Sequence, residues 1–200
     1  MDNYEYLVAG LPVLSSDWTS QPKLSAAALI DEIRSLSSDK DNALFDTLLG
    51  GYEEENFTPE FYRKVLSHPN SFIREFFRFD LNHRNAKVRY LNDSLGRPAD
   101  KDIFYEEEDA EFEEASQVRS ILYGTDLLAR ERGLDNLMWD KIGELNTFDY
   151  FNVNALLGYI AKLKIIDRWL SLDEQAGREM FRKLVEEIRG TFKGVEFNEN

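Results

Sequence analysis

The sequence predicts an all-α protein built from helical bundle units. Six or more segments carry apolar residues at steps of three and four, and recognisable caps precede most of them. The third observation is bulk: 200 residues at 42% hydrophobic can hide roughly 70% of the unfolded surface, which is enough for a true core.

The first element is the exception. Residues 4–11, Tyr-Glu-Tyr-Leu-Val-Ala-Gly-Leu, are aromatic and lead into Pro12. They read as a short N-terminal extended or irregular segment, although Leu and Ala suit a buried apolar arm equally. A loop with Asp17, Trp18 and Pro22 follows. Ser25 caps a helix over 26–36, with Leu24 and Leu29 as a hydrophobic staple. Asp41 is expected to cap a second short helix carrying Leu44, Phe45, Leu48 and Leu49, and Gly50-Gly51 stops it. Thr58-Pro59 opens a two-turn helix with proline in its first turn. After the break at His68-Pro69-Asn70, Ser71 is expected to cap a longer helix. There Phe72, Ile73, Phe76, Phe77, Leu81, Val88 and Leu91 form the apolar side, and Arg74, Arg78, Arg84, Lys87 and Arg89 are interleaved. Residues 92–98 read as a loop. The second half predicts helices over 112–132, 134–145 after Gly133, 153–170 and 174–189, then a frayed tail.

These elements divide into an N-terminal helical unit (1–98), an acidic connection (99–114) and a C-terminal helical unit (115–200), or merge into one compact domain. Phe79-Asp80-Leu81-Asn82 and Phe151-Asn152-Val153-Asn154 echo each other as helix entries, and the offset of 72 also sets Val88 against Ile160. On that echo the two units are related halves.

Charge and motifs narrow the function by exclusion. With 24 Lys plus Arg against 38 Asp plus Glu, the net charge of -14 repels nucleic acid and anionic lipid headgroups. No cysteine is present, no basic-then-apolar leader is evident, and no apolar run reaches membrane-spanning length. A cytoplasmic protein with no direct lipid insertion is expected. His68 reads as a turn residue and His83 as a polar-face residue rather than a general base. Neither has metal-ligand spacing. Gly50-Gly51 lacks the Lys-Ser/Thr of a phosphate loop. No catalytic, cofactor-binding or metal residue is assigned. Residues 100–114 hold nine acidic residues and one basic one. This run reads as a solvated helix start, with steering of a basic partner as a compatible role.

Trp139 and Trp169 lie at helical positions and read as core; Trp18, in its loop, is the candidate exposed anchor. Arg84, Lys87 and Arg89 are the other candidate partner contacts, because they cannot all share one narrow stripe with Val88 and Leu91. The competing expectation is that they pair with this chain's own surplus carboxylates.

Three segments carry a resemblance: residues 4–12, Phe79-Asp80-Leu81-Asn82-x-Arg84-Asn85-Ala86, and Leu163-Lys164-Ile165-Ile166-Asp167-Arg168-Trp169. Over nearly the whole chain the sequence resembles a bacterial family of unassigned function encoded among V-type ATPase genes. Residues 77–91 are also similar to a helix that recurs in the C subunit of archaeal-type ATPases, whose V-ATPase counterpart is the d subunit. The resemblance implies a helical, non-catalytic component of an ion-transporting rotary ATPase, coupling the central shaft to the membrane proteolipid ring from the cytoplasmic face. It implies partners among the other V/A-type ATPase subunits, in a peripheral membrane complex. Such a component would be a monomer in isolation, with no cofactor. The archaeal-type C subunit is similar to three helical units, and two are readable here. The alternative is a helical metal- or ligand-binding domain, or a small enzyme, using the acidic cluster at Glu106, Glu107, Glu108 and Asp109.

Overall fold

The computed structural model describes residues 4–17, 24–107 and 112–172. Within them the chain is all-α, with eight α-helices, one 3-10 turn and no strand. Trp18 and the helix expected over 174–189 lie outside the described residues.

The N-terminal segment is a helix, α1 (Glu5–Gly10), not an extended strand. Its two ends explain the correction. The Tyr4 N-H donates to the carbonyl of Phe151 at 2.8 Å, and the Tyr4 hydroxyl donates to Asp41 at 2.5 Å. These contacts fix the start of the helix so that Leu7, Val8 and Leu11 pack on the core. A remote anchor therefore decides a segment whose own preference is weak.

Helix α2 (Ala26–Ser35) begins after Ser25, whose hydroxyl accepts from the Ala28 N-H as expected. Helix α3 (Asp39–Gly50) is capped by Ser38 rather than Asp41. Asp41 is the third residue of the helix and is buried. Its carboxylate accepts from the hydroxyls of Ser38 and Tyr4, a variant of the capping box that ties α3 to the N-terminus. A 3-10 turn (Glu54–Asn56) leads to α4 (Pro59–Leu66), where the Thr58 hydroxyl caps the Phe61 N-H at 3.2 Å.

Helix α5 (Ser71–Ser94) is about 36 Å long at 1.5 Å per residue. Asn70, not Ser71, caps it; the Asn70 side chain accepts from the Ile73 N-H and donates to Asn154. The helix runs past residue 92 and ends at Gly96, whose φ of +63° gives the left-handed turn that closes a helix. Residues 79–82 therefore lie inside α5, whereas Asn152 caps the last described helix. The two echoed segments do not occupy equivalent positions.

The helix expected over 112–132 is two elements. Helix α6 (Ala115–Leu122) stops, and after a turn Asp126 caps α7 (Leu127–Leu145) through the Ala129 N-H at 3.0 Å. Gly133 does not interrupt α7. It lies where a Cβ would come within 3.0 Å of the Ile121 side chain, so α6 packs closely against α7 there. Helix α8 (Val153–Leu170) follows its predicted bounds, with the Asn152 side chain accepting from the N-H groups of Asn154 and Ala155.

Helix α5 packs on α4, α6, α7, α8 and α3, and α8 packs on α7, α2 and α3. The main core draws Phe45, Tyr62, Phe76 and Phe77 from the first half and Ile142, Leu156, Ile160 and Ile166 from the second. A smaller cluster of Val118, Leu122 and Leu134 lies under α6. No described helix is long and apolar enough to cross a membrane.

Candidate functional site

A cleft of about 640 Å³ opens along α5, between the turn after α3 and the facing sides of α7 and α8. It concentrates ionisable groups that the helices hold in a continuous network. At one end the buried Tyr62 hydroxyl of α4 donates to Asp80 at 2.6 Å, and Arg84 Nε donates to the same oxygen at 2.7 Å. Asp80 has a side-chain exposure of 12%. Two donors on one oxygen supply the partners that a buried carboxylate requires. The Arg84 guanidinium also lies 4.2 Å from the Phe57 ring centroid, a cation–π contact. Burial, together with the neighbouring Asp80 charge, raises the Tyr62 hydroxyl well above its ordinary pKa, so it stays a donor.

Along α5 the network continues through Lys87, whose Nζ is 3.6 Å from Glu131 of α7. Glu131 also pairs with Arg168 of α8 at 2.6 Å. Arg168 reaches back to Asp135 at 2.9 Å, and the Trp169 indole N-H donates to Asp135 at 2.7 Å. Burial raises the Asp135 pKa against the opposing pull of Arg168 and the indole. Burial alone would also raise Glu131, but the Arg168 hydrogen bond and the Lys87 charge outweigh it and hold that carboxyl low. Four helices are thus cross-linked by charge-assisted hydrogen bonds and ion pairs.

His83 is in the wall of this cleft, 8% exposed, and its ring is parallel to Phe79 at 6.1 Å. The sequence places it on a polar face; it is buried instead, because α5 is covered on that side by α6 and α7. Burial first, then the charge of Lys87, lowers its pKa to about 4. At neutral pH it is an uncharged imidazole, and its Nε2 has no hydrogen-bond partner among the described residues. His68 is a turn residue: its Nδ1 accepts from the Asn70 N-H at 3.1 Å.

Of the candidate partner contacts, Arg84 and Lys87 meet in the cleft. Arg89 does not; it turns to the acidic connection and pairs with Asp100 at 3.2 Å and Glu106 at 2.7 Å. Arg78 holds Glu107 at 2.8 Å, and Lys141 of α7 holds Glu114 at 2.9 Å. Residues 103–107 are therefore not a helix start. They run as an irregular strap along α5, and the Asn85 side chain fastens the Tyr105 carbonyl at 3.0 Å. Among the described residues no group of three or more histidines and carboxylates could hold a metal ion. Glu108 and Asp109 lie outside the described residues.

Sequence reasoning missed Glu131, Asp135, Lys164, Asp167 and Arg168 as site residues. A signal was present, since the last three lie in one of the segments that carry the resemblance, and Glu131 and Asp135 are one turn apart on the same helix face.

A family model described as "Protein of unknown function (DUF2764)" matches residues 104–191. No curated protein and no solved structure matches the chain.

Proposed function

We propose that this protein is a non-catalytic component of a V/A-type rotary ATPase, similar to the C or d subunit, coupling the central shaft to the proteolipid ring from the cytoplasmic face. The observation that carries the reading is where the residues of the resemblance sit. Asp80, Arg84 and Asn85 of the Phe79–Ala86 motif lock α5 to α4 and to the strap at residues 103–107. Arg168 and Trp169 of the later motif lock α8 to α7. These polar residues cross-brace a helical bundle instead of presenting a nucleophile or a general base. A coupling piece needs stiffness, and close packing joined by multiple ion pairs supplies it. The -14 charge suits a protein that meets a basic shaft end and is kept off anionic lipid.

The test is a tagged purification from the native host at low salt, repeated near 1 M salt where the Debye length falls to about 3 Å. Shaft or ring subunits should co-purify at low salt and be depleted at high salt. Recovery of no ATPase subunit under either condition, with an unrelated protein in their place, refutes the reading.

A further inference from the structure

The cleft leaves two opposite charges unused. Arg84, Lys87 and Arg168 are each matched by Asp80, Glu131 or Asp135 at 2.6 to 3.6 Å. Lys164 and Asp167 line the same cleft. They are three residues apart on α8, so their side chains leave one face of that helix. Neither makes a side-chain ion pair or hydrogen bond among the described residues; Lys164 Nζ is 5.5 Å from the Tyr52 ring centroid. The opposite wall is apolar and aromatic, formed by Phe57, Phe76, Phe77 and Phe104. His83 Nε2 is a third polar group without a partner.

Each feature restricts the occupant. A volume of about 640 Å³ is within the range of small-molecule sites, and aromatic walls with a few polar groups are their usual lining. A simple anion would gain Lys164 and be repelled by Asp167; a simple cation would meet the reverse. Counting Glu131, the cations in and around the cleft are balanced by as many anions, so the site has no net field for either sign. A compact molecule carrying both charges gains both contacts, since one helical turn of about 5.4 Å separates the two residues.

We propose that this cleft binds an amino-acid-like zwitterion with an aromatic or large apolar side chain. Lys164 receives the carboxylate, Asp167 receives the ammonium, and the side chain displaces water from the phenylalanine wall. Both groups face solvent across the cleft, so binding strengthens each charge-assisted hydrogen bond as water leaves. This inference does not rest on the coupling reading, because ligand titration of the purified chain and co-purification report on different properties.

The experiment is an amide chemical-shift titration of the full chain with L-phenylalanine. Phenylacetate, phenethylamine and glycine serve as probes lacking the ammonium, the carboxylate and the side chain. The expected result is saturable binding of L-phenylalanine, with shifts clustered on α5 and α8 around the cleft. Each of the three truncated probes should bind at least about tenfold more weakly, the loss expected for one such contact. Lys164→Gln and Asp167→Asn should each weaken L-phenylalanine binding about tenfold with unchanged thermal melts, because neither side chain braces the fold. The proposal is overturned by the absence of saturation at about 10 mM, weaker than a useful small-molecule site. Equal binding of phenylacetate, or substitutions without effect, would also overturn it.

Discussion

Replacing Asp80 by alanine removes the junction between α4 and α5, and the structure sets the scale of the loss. Two donors lose their acceptor. The Tyr62 hydroxyl belongs to a side chain only 1% exposed, so it becomes an unsatisfied buried group at a cost of about 1–3 kcal/mol. Arg84 has a side chain 34% exposed and can turn part of its guanidinium to water, so its share is about 0–1 kcal/mol. The sum is about 2–4 kcal/mol, or a melting shift of about 5–15 °C for a domain of this size. Urea denaturation followed by circular dichroism measures it. Tyr62→Phe in the same background separates the two donors. The double variant should be more stable than the sum of the single losses by about 1 kcal/mol or more, because the orphaned hydroxyl has gone. An Asp80→Ala protein within about 0.5 kcal/mol of the parent, or strictly additive losses, would refute the argument that a buried carboxylate braces this bundle.

Further outcomes follow from packing and charge. Gly51→Ala places a Cβ 2.2 Å from the buried Phe77 ring, so overpacking should cost about 1–3 kcal/mol by denaturant titration. His83 is held neutral by burial with its pKa near 4, below the ordinary value of about 6.5. The unfolded chain therefore binds a proton at His83 that the folded chain refuses between those values. Its contribution to stability is present above about pH 6.5 and is lost as pH falls towards 4, with a total near 3 kcal/mol. His83→Phe should flatten the stability profile over that window by about this amount, measured as the difference from the parent at each pH. Arg89→Ala breaks two exposed pairs to Asp100 and Glu106 and should cost under about 1 kcal/mol in global stability. It should, however, speed proteolysis within residues 99–107, the strap that Arg89 fastens.

The sequence by itself determined the helical class, the bounds of α8, and the caps at Ser25 and Thr58. These are local properties: apolar spacing is set by 3.6 residues per turn, and a cap hydroxyl meets an N-H two or three positions ahead. It also determined that no phosphate loop or thiolate chemistry is present, since those need particular residues at particular spacings. Tertiary structure alone decided the rest. Residues 4–11 have no strong preference, and the Phe151 carbonyl and Asp41 carboxylate, far away in sequence, make them α1. Ser38 and Asp41 are both good caps on paper; Asp41 is drawn inward because Tyr4 offers it a hydroxyl. The destination of the basic helix was legible only in outline. With 38 carboxylates for 24 cations, composition says that arginines will be paired, but not with which partner. The crossing of α5 with α7 and α8 chose Glu131 for Lys87, and the course of the acidic strap chose Glu106 and Glu107 for Arg89 and Arg78. Ion pairs over such separations form only after the apolar faces have docked, because a charge on an exposed helix gains too little in water to direct the fold.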